Sequence, residues 1–214
     1  MLHSKENIVR AGTALQDAER VLMMIHGRGA SARDILSLAA YFDIGRTHLI
    51  APQATNHSWY PYSFLAPVKD NEPWLSSALE LLKSLRDETI AAGKRSEQLF
   101  ILGFSQGACL TLEFASRNAE KYGGIVGFTG GLIGDLVNPR HYSGDFGGTK
   151  VFIGNSDIDP HVPLHRSEET RDVMTSLGAA VTLKVYKNMG HTINQDELDV
   201  VDTVILNPPS IREK

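Results

Sequence analysis

"QLFILGFSQGACLTLEFASRNA" (98–119) decides the fold. It opens as a short apolar strand, "QLFIL", and closes as a helical stretch, "SQGACLTLEFASRNA" (105–119). Between them stands "GFSQG" (103–107), a match to G-x-S-x-G. Alone the pentapeptide says little, because glycine-rich strand ends are common. At a strand-to-helix junction it describes the sharp turn that lifts a serine hydroxyl above a sheet. Gly103 and Gly107 let chain pass close on both sides of the strained residue. The helix N-terminus behind Ser105 puts positive partial charge where an oxyanion would form. The alternative is a tight turn with a serine cap.

Outward from this junction, apolar runs alternate with helical patterns. "RVLMMIH" (20–26), "THLIAP" (47–52), "GIVGFTG" (124–130), "TKVFIG" (149–154) and "AVTLKVY" (180–186) read as strands buried on both faces. Helices are expected over 32–42, 73–93, 105–119, 164–178 and 194–206, with Gly93 and Gly178 as C-terminal stops. "NIVRAGTAL" (7–15) reads as an antiparallel edge strand. Such alternation predicts an α/β fold: one domain over 1–214, a mostly parallel central sheet, helices on both faces. Two long stretches, 53–73 and 131–148, follow strand C-termini, where open α/β sheets put ligand sites.

A serine hydroxyl needs a base, and on this fold the chain order is Ser, acid, His. "NMGHTI" (188–193) follows the last apolar run and supplies His191. "IHGRGA" (25–30) follows an early strand. A His-Gly-x-Gly turn there offers a main-chain N–H to an oxyanion, paired with the N–H after the nucleophile. Those donors are Arg28 and Gln106; His26 is expected to orient the turn. His161 and His165 have zinc-like spacing, but Pro163 between them argues against a shared helix face, so no metal is expected.

The bulk numbers fit. Of 214 residues, 42% are hydrophobic and 21% charged, as in ordinary globular domains. A net charge of −4 leaves no footprint for nucleic acid. Cys109, the single cysteine, forbids an intrachain disulfide and reads as a buried small hydrophobe. No apolar run approaches the roughly 18 residues of a membrane helix, and "MLHSKENIVR" lacks a signal-peptide core. The expected setting is the cytoplasm.

Together, "HGRGA", "SWY", "GFSQG", "DPHVP" and "MGH" resemble the phospholipase/carboxylesterase family of α/β-hydrolases, which includes bacterial carboxylesterases and acyl-protein thioesterases. The resemblance spans residues 20–206. It implies a Ser-His-Asp carboxylesterase with a minimal cap, no cofactor, a small-molecule ester substrate and a tendency to form homodimers. It also frames the acid. The family pattern G-x-x-D-x-x-V-P is stretched here in "GNSDIDPHVP" (154–163), so Asp157 and Asp159 compete. Pro160 and Pro163 fix the chain after Asp159, leaving the slack upstream. Asp159 is therefore the expected acid and Asp157 the residue that orders the turn. "SWY" matches an aromatic element of the family, and Trp59, Tyr60 and Phe64 are expected to wall the substrate pocket. "TGG" (129–131) and "HGRGA" depart from the thioesterase pattern and favour small esters. The rivals are an acyl-protein thioesterase or lysophospholipase, and a non-catalytic ligand-binding protein of the same fold.

Overall fold

The strand at 99–104 that feeds the serine turn lies near the middle of one seven-stranded sheet. The computed structural model describes residues 2–208. In chain order the strands are β1 (Ile8–Gly12), β2 (Arg20–Ile25), β3 (Thr47–Pro52), β4 (Leu99–Phe104), β5 (Gly124–Phe128), β6 (Lys150–Ser156) and β7 (Ala180–Tyr186). Their spatial order is β1-β3-β2-β4-β5-β6-β7. β1 runs antiparallel to β3, and every other pairing is parallel. The helices are α1 (Ala32–Leu36), α2 (Trp74–Ala91), α3 (Gln106–Arg117), α4 (Leu164–Ser176) and α5 (Gln195–Val200).

Successive residues of β4 point to opposite faces, as the strand period requires. Ile101 joins Leu81 of α2, Leu110 of α3 and Met174 of α4 in one core layer. Leu102 joins Ile35 of α1 and Leu198 of α5 in the other. In α2 the buried positions Leu75, Ala78, Leu81, Leu82 and Leu85 follow helical spacing. In α3 every residue from Gln106 to Ser116 is buried, so this helix has no solvent face. Among the described residues no helix is long and apolar enough to cross a membrane.

Three expectations need correction. The helix at 32–42 is α-helical only to Leu36 and tightens into a 3-10 run over Ser37–Tyr41. The helix at 194–206 passes after Val200 into a π-helical run over Val201–Leu206, whose last carbonyl accepts from the Arg20 guanidinium. β7 is not buried on both faces: as the sheet's edge it alternates half-buried Val181 and Leu183 with exposed Ala180 and Thr182.

The long segments at the C-terminal edge of the sheet contain only short 3-10 turns. Two buried charges anchor the second of them. Glu113 accepts from the Ile133 N–H (2.9 Å), the Tyr142 hydroxyl (3.1 Å) and Arg117 (2.6 Å). Arg166 donates to the carbonyls of Leu132 (3.0 Å) and Gly134 (2.6 Å). A buried charge is tolerable only with such partners.

Candidate active site

β4 ends at Phe104 and α3 begins at Gln106, which leaves Ser105 alone in the turn. Its backbone sits at φ 55°, ψ −120°, a conformation L residues rarely hold. The turn stays sharp because of its glycines. A Cβ on Gly103 would lie 2.3 Å from the Gly107 carbonyl oxygen, and one on Gly107 2.2 Å from that of Ile25. The Ser105 N–H donates to the Phe128 carbonyl on the neighbouring strand (3.0 Å).

Ser105, His191 and Asp159 form one hydrogen-bonded line. His191 Nε2 lies 2.8 Å from Ser105 Oγ, and Nδ1 lies 2.7 Å from Asp159 Oδ2. If the Nδ1 proton faces the carboxylate, Nε2 is free to accept from the serine. The Asp159 side chain is 0% exposed. Its other oxygen, Oδ1, accepts from the main-chain N–H groups of His161 (2.7 Å) and Val162 (2.8 Å). Burial alone would push this carboxyl up. The amides of Val162 and His161, with His191, outweigh it and hold Asp159 below the usual carboxylate range.

Asp157 has a different place. Its carboxylate accepts from the Asn188 N–H (2.8 Å), which ties the acid-bearing loop to the loop carrying His191. Ser156 adds a second tie, donating to the Met189 carbonyl. Asn155 donates to the Val162 carbonyl (3.1 Å) and to Ser167 (2.9 Å), closing the acid loop from inside. Sequence reading missed Asn155 and Ser156; their only signal was polarity at the end of an apolar strand.

A cavity of about 460 Å³ opens over the line of three, bordered by Ser105, His191, Arg28, Gln106, Tyr60 and Phe64. Gln106 is the first residue of α3, so its N–H has no acceptor within the helix. Trp59 departs from expectation: it does not border this cavity. It is fully buried, its indole donates to the His26 carbonyl (2.8 Å), and its ring packs between His26 and His3. Trp59 and Tyr60 are both buried, but only Tyr60 borders the cavity, because the Trp59 ring is turned toward His26 and His3. His3, close to the N-terminus, is buried and bonds the Trp59 carbonyl (2.9 Å). His26 does orient its turn, through Gly27 O (2.7 Å) and the Ala54 N–H (3.1 Å).

The side chains of Arg28 and Gln106 make contacts that sequence did not suggest. The Gln106 side chain accepts from the Trp59 N–H (3.0 Å) and donates to the Tyr60 carbonyl (2.8 Å). The Arg28 guanidinium donates to the carbonyls of Tyr60 (2.9 Å), Pro61 (2.8 Å) and Tyr62 (2.6 Å). Both hold the aromatic segment against the serine turn. His161 stands edge-on to the His191 ring at 4.8 Å and His165 lies in α4; among the described residues no group of three or more His, Cys, Asp or Glu could hold a metal.

A serine at a strained strand–helix turn, a histidine after the last strand and an acid between them on a mostly parallel sheet make this an α/β-hydrolase fold. The phospholipase/carboxylesterase family model matches residues 7–207, and the chain belongs to that family. It is similar to a phospholipase/carboxylesterase of known structure from Dyadobacter fermentans: TM-score 0.94, 48% identity, 96% of this chain and 98% of that one. Among curated proteins it is 26% identical to acyl-protein thioesterase 1 of Saccharomyces cerevisiae over 215 residues, covering 90% of this chain and 94% of the relative. A probable carboxylesterase from Oryza sativa is 28% identical over 167 residues, 73% of this chain and 62% of that one. The protein is a hydrolase of carboxylic esters with a small-molecule substrate.

Proposed function

We propose that this single domain cleaves small or short-acyl esters by a two-step acyl transfer, with Ser105, His191 and Asp159 as its catalytic residues. His191 Nε2 takes the Ser105 proton while Oγ bonds to the ester carbonyl carbon. The oxyanion is held by the N–H groups of Arg28 and Gln106. His191 then gives its proton to the departing alcohol oxygen, leaving an acyl-serine. Water, deprotonated by His191, attacks that ester; the serine regains its proton and the acid leaves. Asp159 fixes the tautomer and stabilises the imidazolium.

The observation that carries this reading is the hydrogen-bonded line itself, 2.8 Å and 2.7 Å long in its two links, with Ser105 at positive φ. The short-acyl preference is supported by the tied aromatic segment, which brings Tyr60 and Phe64 over the serine. A homodimer in the cytoplasm completes the proposal. A second reading, an acyl-protein thioesterase, is favoured by the names of the fungal relatives. Turnover of p-nitrophenyl acetate, butyrate and palmitate separates the two. The esterase reading expects kcat/KM to fall along the series, and for Ser105→Ala to lose all three. A rise toward palmitate supports the thioesterase, and wild-type-like turnover by Ser105→Ala ends both.

A further inference from the structure

The Ser105–His191 line is flanked by a second recess. A groove of about 380 Å³ is lined by Ala30, Ile35, Leu38, Phe104 and Ile193, with Gly27 and Thr192 nearest the site. Its place is set by sequence neighbours. Arg28, Ser105 and His191 border the first cavity; Gly27, Phe104 and Thr192, each adjacent in the chain, border the groove. The two recesses share no lining residue, and the ridge between them carries the reacting groups. It is thin: a Cβ on Gly27 would lie 3.4 Å from Ser105 Cβ, and the Phe104 ring centre is 5.3 Å from that of His191.

The groove offers apolar contact. Of its polar members, His26 already uses both ring nitrogens, on Gly27 and Ala54. One oxygen of Asp34, Oδ2, accepts from both the N–H and the hydroxyl of Ser31 at the start of α1. Facing a ligand are the half-buried Ala30, Leu38, Phe104 and Ile193, alongside the exposed Asp34 and Thr192. Its volume lies in the ~300–1,000 Å³ range usual for small-ligand pockets.

An ester has two arms that diverge from the carbonyl. The aromatic segment sits on the cavity side, while the leaving oxygen must pass His191, the group that protonates it. We infer that the groove seats the alcohol arm, and that the substrate is an ester of an apolar alcohol. This rests on the esterase reading above and specifies its leaving group.

The test compares benzyl acetate with methyl acetate, which share an acid and have alcohols of similar acidity. Burying a phenyl ring predicts a benzyl preference in kcat/KM of about tenfold or more. Leu38→Gln makes the groove polar and Leu38→Trp fills it; each should cut the benzyl-to-methyl ratio at least about fivefold. Both are read on folded protein, and the tryptophan variant stays informative if the glutamine one does not fold. Leu136→Asp, on an exposed loop elsewhere, should leave the ratio as it was. A wild-type ratio near one, or a ratio indifferent to both Leu38 variants, overturns the inference. Hydrolysis of neither ester would instead overturn the esterase reading.

Discussion

Arg28 holds Tyr60 twice over. Its guanidinium donates to the Tyr60 carbonyl at 2.9 Å, and its central carbon lies 6.0 Å from the centre of the Tyr60 ring. The same guanidinium reaches Pro61 and Tyr62. The residue proposed to give its N–H to the oxyanion thus also fixes the pocket wall, as the Gln106 side chain does from the other side. A shift of the wall has a direct route to Arg28 and Gln106, the two residues proposed as oxyanion donors.

Arg28→Met keeps the stem and removes the fork. It should lower kcat/KM for p-nitrophenyl acetate by about tenfold or more, because small misplacements near the reacting atoms cost that much. Arg28→Lys should recover little, since one ammonium cannot reach three carbonyls. Steady-state kinetics on both variants reads this; activity of Arg28→Lys close to wild type would show that charge alone suffices.

Ser105 stores strain at φ 55°. Ser105→Ala and Ser105→Gly should both be inactive, but glycine needs no strain there. Ser105→Gly should therefore exceed Ser105→Ala in stability by about 1 kcal/mol, or roughly 2–4 °C in melting midpoint. Thermal melts of the pair decide it; equal midpoints would mean the turn is not strained.

Glu197, buried in α5, accepts from the Asn194 N–H at 2.9 Å, and its Oε1 has no partner. Burial pushes its carboxyl up to about 7, against the downward pull of the Asn194 amide. Between about 4.5 and 7 the folded state therefore binds more protons than the unfolded chain, so stability falls as pH rises through that window. The full effect is on the order of 3 kcal/mol. Asp159, held low, works the other way: its contribution is present above the unfolded carboxylate value near 3.8 and is lost as pH falls below it. Glu197→Gln keeps the cap and should flatten the decline, melting higher than wild type at pH 8 but not at pH 4.5. Parallel slopes for the two proteins would remove Glu197 as the cause.

Asp159→Asn should preserve the turn and present the wrong hydrogen-bonding partner to His191. By analogy with other triads, kcat should fall by up to roughly 10⁴-fold. Asp157→Asn only loosens the tie to Asn188 and should cost about tenfold or less. The kcat and melting midpoint of both variants check this; an inactive Asp157→Asn with an active Asp159→Asn would reverse the roles.

How far the sequence reached follows from what is local. The serine turn and the parallel strands were legible, because a glycine-framed serine and unbroken apolar runs are short-range signals. That Asp159 meets His191 while Asp157 meets the Asn188 N–H agrees with the local restraint of Pro160 and Pro163, which fix the chain after Asp159. Trp59 was misplaced because "SWYPYSF" does not say which aromatics turn inward; its inner position depends on His3 and His26, 56 and 33 residues away. The Arg28 fork was illegible for the same reason, since its three acceptors are carbonyls that any sequence would supply. The edge exposure of β7 depends on strand order, which a run such as "AVTLKVY" does not encode.

Fluorophosphonate labelling followed by peptide mass analysis reads the chemistry most directly. A serine activated by His191 should take one phosphonyl group on the peptide bearing Ser105, with none in Ser105→Ala and labelling at least about 10²-fold slower in His191→Ala. Labelling at another residue, or a His191→Ala protein labelled as fast as wild type, would contradict a Ser105–His191–Asp159 hydrolase.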